Sequence, residues 1–144
     1  MAYLRILIFA TLIFSCDKNI DCNLDLEYID GITYFKGKPF NGNCKSYYES
    51  GSIMNDQTYL NGEDNGTWHF YFKNGKIETT ANFLFNKRHG KWIYYFDDGK
   101  TIRQISFYKN GLKDSIWINY KGDQSFNWTK KFKNDSLVEE KYYK

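Results

Sequence analysis

This chain of 144 residues has few of the residues from which catalytic and metal sites are usually built. It contains two histidines, one proline and three cysteines. The cysteines fit no zinc spacing, the acidic residues near the N-terminus fit no calcium loop, and no glycine-rich phosphate loop is present. We therefore expect a protein that is not an enzyme, with no catalytic residues, no metal and no cofactor.

Charge of one sign is also lacking. The formal net charge is +3, and basic and acidic residues are mixed along the chain. A protein that binds nucleic acid, or that binds an anionic membrane through basic residues, usually concentrates positive charge. We therefore expect no nucleic-acid partner. The composition, 42% hydrophobic and 26% charged, is globular rather than disordered and favours one domain.

The long hydrophobic run that a membrane-spanning helix needs is absent, but a shorter one opens the chain. Residues 1–16 read MAYLRILIFATLIFSC, with one positive charge at Arg5 before nine apolar residues from Ile6 to Phe14. A run of this length is typical of a signal peptide. The last four residues, ending at Cys16, resemble the lipobox of bacterial lipoproteins. This resemblance implies a signal peptide over residues 1–15, lipidation of Cys16, and a location in the cell envelope at the outer membrane or cell surface rather than the inner membrane.

Two cysteines remain if Cys16 carries lipid. Cys22 and Cys44 then form an even pair in an oxidising compartment, where a disulfide could join them. The alternative is two buried free thiols. Residues 16–30 are rich in aspartate, and we interpret them as an acidic tether that holds the rest of the protein, residues 31–144, off the membrane.

Residues 31–144 contain a repeat of about 24 residues. It is visible as three columns of aromatic residues. The Trp column consists of Trp68, Trp92 and Trp117. The Tyr column consists of Tyr47, Tyr71, Tyr95 and Tyr120. A second ring column consists of Phe35, Tyr59, Phe83, Phe107 and Phe132.

Each repeat is predicted to form a β-hairpin. Aromatic residues favour strands, and the dipeptides Asn74-Gly75 and Asp98-Gly99 favour hairpin turns because both of their positions tolerate positive φ. No segment after the signal has an amphipathic helical period. The fold class is therefore all-β, an elongated antiparallel meander of consecutive β-hairpin repeats with about nine short strands.

Aromatic rings must supply most of the core, because residues 16–144 hold 26 aromatic residues against 17 leucine, isoleucine and valine residues. Side chains alternate along a strand, so the Trp and Tyr columns should lie on opposite faces of the sheet. Both columns could form the packed core. Alternatively, the Tyr column stays partly exposed and forms a binding stripe.

The repeat unit G-x-W-x-x-Y-x-x-x-G, as in residues 66–75 and 90–99, resembles the MORN-variant repeat of bacterial YwqK-type antitoxin-like proteins. The resemblance covers about residues 31–137. It implies consecutive β-hairpins, no catalytic residues, and a protein partner that could be a toxin. Cys44 stands where the other repeats have Trp, and Ser115 stands where they have Gly.

A second resemblance gives an alternative function. The segment Lys91-Trp-Ile-Tyr-Tyr-Phe-Asp-Asp-Gly99 is similar to the core of choline-binding and glucan-binding cell-wall repeats. Those repeats use aromatic boxes to hold quaternary ammonium groups or sugars. We therefore expect a membrane-anchored lipoprotein that presents a hairpin-repeat sheet for protein–protein interaction, with cell-wall, glycan or choline binding as the alternative. The oligomeric state stays open.

Overall fold

The computed structural model describes residues 20–144, and all of its regular elements are β-strands. The predicted signal peptide and Cys16 lie outside the described residues. The strands are β1 Leu26–Ile29, β2 Ile32–Phe35, β3 Lys38–Pro39, β4 Gly42–Tyr47, β5 Ile53–Leu60, β6 Glu63–Asp64, β7 Gly66–Tyr71, β8 Ile77–Leu84, β9 Lys87–Arg88, β10 Gly90–Tyr95, β11 Ile102–Lys109, β12 Leu112–Tyr120, β13 Phe126–Lys133 and β14 Ser136–Tyr142.

The strands form two antiparallel sheets. The small sheet has the order β1-β2-β3. The large sheet has 11 strands, of which nine follow the order β14-β13-β12-β11-β10-β8-β7-β5-β4, while the short strands β6 and β9 pair beside β5 and β8. Each strand on this path pairs with the next one along it, so the predicted all-β meander of consecutive hairpins is confirmed.

Four hairpins repeat along the large sheet: β4–β5, β7–β8, β10–β11 and β12–β13. Each has one irregularity in its register near the turn, between Ser46 and Tyr47 in the first hairpin and between Phe70 and Tyr71 in the second. The same position is irregular in the third and fourth hairpins. Such bulges increase the local twist of the strands.

The turns differ from the prediction. In the second hairpin the Gly75 N–H donates to Phe72 O at 2.9 Å and the Phe72 N–H donates to Lys76 O at 2.9 Å. Gly75 has a φ of 79°, whereas Asn74 does not have positive φ. This geometry is a turn closed by one left-handed glycine, a three-residue loop rather than the two-residue turn predicted from the dipeptide.

The third hairpin contains one extra residue, and it lies in the turn. The Phe96 N–H donates to the carbonyl oxygen of Thr101, five residues on, where the equivalent bond in the second hairpin spans four residues. Asp98 fills this longer turn by accepting hydrogen bonds from the backbone of Lys100 and Thr101 and from the Thr101 hydroxyl. The Thr101 hydroxyl and these two backbone N–H groups lower the pKa of Asp98 to about 2.

The extra residue changes one member of the second ring column. Gly90 pairs with Tyr108 as Gly66 pairs with Phe83, so Tyr108 occupies the position that was predicted for Phe107. The prediction for Phe107 was wrong because it placed the insertion after this strand. An insertion in a strand would reverse the faces of all later side chains, and a turn absorbs it without that cost.

The described part of the predicted tether, residues 20–30, is folded onto the sheets. Leu26–Ile29 forms β1, and Cys22 forms a disulfide with Cys44 in β4, with 5.2 Å between their Cα atoms. Of the two alternatives for Cys22 and Cys44, a disulfide or two free thiols, the structure has the disulfide. Residues 31–39, counted with the repeats in the sequence, belong mostly to the small sheet, and the hairpins of the large sheet begin at β4.

Candidate binding surface

One face of the large sheet carries a continuous row of rings, which we name the aromatic ladder. Neighbouring ring centroids along it are between 4.7 and 5.7 Å apart. In order, the ladder is Phe40, Tyr59, Trp68, Phe83, Trp92, Tyr108, Trp117 and Phe132. Tilted and edge-on contacts at these distances are favourable for aromatic pairs. The ladder is the core of the sheet, and we call this side the ladder face.

Each tryptophan of the Trp column joins two consecutive hairpins. The Trp68 indole N–H donates to Thr58 O, which belongs to the preceding hairpin, at 2.9 Å. The indole N–H groups of Trp92 and Trp117 make the same bond, at the same distance, to Asn82 O and Phe107 O. All three tryptophans are buried. This explains why the repeat requires tryptophan, since phenylalanine or tyrosine lacks an N–H at that position.

Cys44 occupies the tryptophan position of the first hairpin. Cys44 pairs with Gln57 across β4–β5, as Trp68 pairs with Ala81 across β7–β8. Cys44 is 2% exposed and carries the disulfide to Cys22. At this position the first hairpin is therefore bonded covalently to the segment before it, where the other hairpins have a tryptophan.

Charged side chains cover the ladder from the short links between hairpins. Arg88 lies over the rings of Trp92 and Tyr108, with its Cζ 5.0 and 5.3 Å from their centroids. Lys113, one repeat further on, lies 5.2 Å from the ring centroids of both Trp117 and Phe132. These cation–π contacts cover ring faces of the ladder.

The equivalent position in the first link is an acid. Asp64 pairs with Tyr59 as Arg88 pairs with Phe83 and as Lys113 pairs with Tyr108. Burial raises the pKa of Asp64. Burial, followed by the charge of Asp64, also raises the pKa of Tyr59 to about 12. The charge at this repeated position is thus acidic in the first link and basic in the next two.

An open groove of about 380 Å³ crosses the ladder face between the second and third hairpins. Phe70 and Tyr94 form its walls, since each pairs with the buried Thr79 between them. Glu78 and Arg88 supply charges of opposite sign. Burial raises the pKa of Tyr94 above its ordinary value. The full lining is Phe70, Glu78, Thr79, Phe83, Arg88, Trp92 and Tyr94.

The Tyr column lies on the opposite face of the sheet, where its members are half-buried. The ring of Tyr71 lies 6.4 Å from His69, and that of Tyr120 lies 5.5 Å from Phe126. Tyr47 lines a hollow of about 520 Å³ near the first turn, together with Met54 and Lys73. Tyr47, Tyr71, Tyr95 and Tyr120 therefore take part in packing but keep accessible surface.

Neither histidine lies in an arrangement typical of catalysis. His69 is on β7, and the His89 Nδ1 accepts a long hydrogen bond of 3.4 Å from the Asn110 N–H. Residues 20–144 contain no group of three His, Cys, Asp or Glu side chains that could hold a metal ion. In that same part of the chain, no helix has the length and apolarity that a membrane crossing requires.

Three consecutive segments of the chain match the model of the MORN repeat variant: residues 40–61, 64–84 and 88–111. Each match covers one hairpin, namely β4–β5, β7–β8 and β10–β11. The predicted resemblance to the MORN-variant repeat is confirmed for these three repeats. No curated protein is significantly similar to the chain in sequence.

Proposed function

We propose that this chain of MORN-variant repeats is a non-enzymatic binding protein that recognises a protein partner through its ladder face. The observation that carries the proposal is the open groove between Phe70 and Tyr94, in which half-buried rings stand beside Glu78 and Arg88. Interface centres in proteins are typically aromatic and contain arginine, and charges at their rim fix the orientation of the partner.

A pair of adjacent tyrosines provides the test. Tyr94 and Tyr95 are both half-buried on β10, but Tyr94 lines the groove and Tyr95 belongs to the Tyr column on the opposite face. We expect the tagged protein to co-purify a stoichiometric protein from its native host. Tyr94→Ala should lose at least about tenfold in affinity, whereas Tyr95→Ala should bind as the parent does.

Either of two results would contradict this proposal. One is the absence of any stoichiometric protein partner. The other is loss of binding in Tyr95→Ala with binding retained in Tyr94→Ala, which would assign recognition to the Tyr column instead. Circular dichroism of both variants establishes that each remains folded.

We further propose that the protein is a lipoprotein of the bacterial cell envelope, anchored through Cys16 at the outer membrane or cell surface. The support is the lipobox-like sequence before Cys16, together with the disulfide between Cys22 and Cys44, a bond that persists in oxidising compartments. Cys16→Ala should move the protein from the membrane to the soluble fraction. Cys22→Ala is the matched control and should stay at the membrane; retention of the Cys16 variant there would contradict the anchor.

The family resemblance makes a toxin the first candidate for the partner, which would give the protein an immunity role at the envelope. The arrangement of the rings favours this over choline binding. Arg88 and Lys113 already lie over the rings of the ladder, where a quaternary ammonium ligand would have to bind. We expect no change in tryptophan fluorescence when choline or cell-wall glycan is titrated; a saturable change would support the cell-wall alternative.

A further inference from the structure

The two edges of the large sheet differ in whether another segment of the chain bonds to them. At the β4 edge, residues 20–22 lie along the strand. The Cys22 N–H donates to Lys45 O at 2.8 Å, and the Lys45 N–H donates to Ile20 O at 2.9 Å. The disulfide between Cys22 and Cys44 fixes this segment in place. The chain itself therefore occupies the β4 edge at Lys45.

The β14 edge is open within the described residues, where β13 is its one neighbour. All seven residues of β14 are exposed, including Val138 at 57% and Tyr142 at 62%. The Tyr143 N–H donates to Asn127 O in the direction of β13. Because backbone groups alternate along an antiparallel strand, those of Tyr142 and Glu140 point away from β13, toward the open side.

We propose that this edge binds β14 of a second copy, so that two sheets join as an antiparallel, two-fold symmetric dimer centred on Glu140. In a two-fold pair of antiparallel strands, one residue lies opposite its own copy and the others pair about it. Centring on Glu140 places Glu139 opposite Lys141 of the partner subunit, twice. It also places Val138, which the pairing of β13 with β14 skips at a register irregularity, opposite Tyr142 of the partner subunit, twice. Such cross-strand pairs are favourable.

The central pair of glutamates is compatible with this register. Glu140 Oε2 lies 3.2 Å from the Lys130 Nζ of its own chain and accepts a hydrogen bond from the Tyr142 hydroxyl at 3.3 Å. Each central carboxylate is therefore already neutralised. Centring on Glu139 instead would oppose two carboxylates without such an ion pair, and centring on Lys141 would oppose two ammonium groups. The charges of β14 thus select Glu140 as the centre.

The covered β4 edge determines that the assembly closes. If both edges were open, β14 of one copy could pair with β4 of the next and produce a filament. Since residues 20–22 occupy the β4 edge at Lys45, the symmetric contact between two β14 strands is the contact that the edges of the large sheet leave available. We therefore expect dimers and no filament through the edges of the large sheet.

A charge exchange tests the proposal on the full chain in detergent, by sedimentation velocity over a range of concentrations. Glu139→Lys should oppose two pairs of like charges and raise the dimer dissociation constant by at least about tenfold. Lys141→Glu should do the same, and the double variant should restore the dimer. Glu49→Lys is the control: it makes the same charge change at an exposed site in the first turn and should have no effect.

A cross-link tests the register. Glu140→Cys should form an intermolecular disulfide under mild oxidation, because the two copies of this residue lie opposite each other, and Ser50→Cys should not. A monomer at all concentrations, or a dimer insensitive to the charge variants, would overturn the proposal. The proposal would also be overturned if the protein is a monomer and Glu139→Lys abolishes binding of a different protein, because the β14 edge would then bind that protein. None of these results bears on the groove, which the Tyr94 and Tyr95 variants test separately.

Discussion

The indole hydrogen bonds between hairpins predict a specific loss of stability in Trp92→Phe. The substitution keeps an aromatic ring next to Phe83 and Tyr108 but removes the N–H that donates to Asn82 O at 2.9 Å. Asn82 O also accepts a hydrogen bond from the His89 N–H at 2.9 Å, so it keeps one partner. We therefore assign about 1 kcal/mol to the lost bond. The smaller ring adds about 1 kcal/mol more at a site that is 5% exposed.

The matched control is Trp128→Phe. Trp128 is half-buried on β13 and, among the described residues, makes no indole hydrogen bond, so the substitution removes ring area without removing such a bond. We expect Trp92→Phe to lower the free energy of unfolding by about 2 kcal/mol and Trp128→Phe by less than about 1 kcal/mol. In a chain of this size, about 1 kcal/mol corresponds to roughly 4 °C in Tm.

Calorimetry of the parent and both variants gives the comparison without relying on tryptophan fluorescence. Trp68→Phe and Trp117→Phe should behave as Trp92→Phe does, because all three indoles make the same bond. Equal losses of stability in Trp92→Phe and Trp128→Phe would refute the reasoning. The Trp column would then stabilise the sheet through ring packing alone.

Three further predictions concern the first hairpins. Gly62→Ala should destabilise the fold more than Gly75→Ala in thermal unfolding: both glycines have similar positive φ, but a Cβ at Gly62 would lie 2.5 Å from a neighbouring side chain, whereas nothing lies within 4 Å of one at Gly75. Reduction of the disulfide between Cys22 and Cys44 should lower the free energy of unfolding in urea by about 3 kcal/mol. The same reductant should have no effect on the variant in which both cysteines are replaced by serine, and an unchanged urea midpoint of the parent on reduction would contradict a stabilising disulfide. Because the pKa of Tyr59 is raised from 10.0 to about 12, the unfolded state releases this proton first, and stability should fall as pH rises from 10 to 12; Tyr59→Phe should reduce that loss in alkaline unfolding curves.

The repeat period was sufficient to predict the fold because it repeats both the strands and their turns. Aromatic residues recur at a spacing near 24 residues, and each set is followed by a glycine turn. This pattern predicts a meander of hairpins. The Trp column was found in the same way. What tryptophan contributes could not be read from spacing, because its hydrogen-bond acceptor lies in the preceding hairpin and the contact depends on how two hairpins pack.

The error at Phe107 could have been avoided with the sequence alone. Trp92 and Trp117 are 25 residues apart, so one residue is inserted between them. A strand without a bulge cannot absorb a single residue without exchanging its faces, whereas a turn can. Placing the insertion in the turn before Ile102 gives Tyr108 as the ring of the ladder. The groove was less accessible to prediction, since Phe70 and Tyr94 become neighbours only through the pairing of both with Thr79.

The two ends of the ladder pose different problems, and the sequence departs from its repeat at both. A tryptophan makes its interhairpin bond by donating to the return strand of the hairpin before it, and within residues 20–144 no hairpin of the large sheet precedes β4. Cys44 replaces tryptophan there, and the disulfide to Cys22 supplies the closure that the ring contact supplies elsewhere. At the far end, β14 carries three charged residues and exposed apolar residues along an edge that is open within the described residues. One end is thus closed within the chain by a covalent bond, and the other presents unpaired backbone N–H and C=O groups to which another strand can bind.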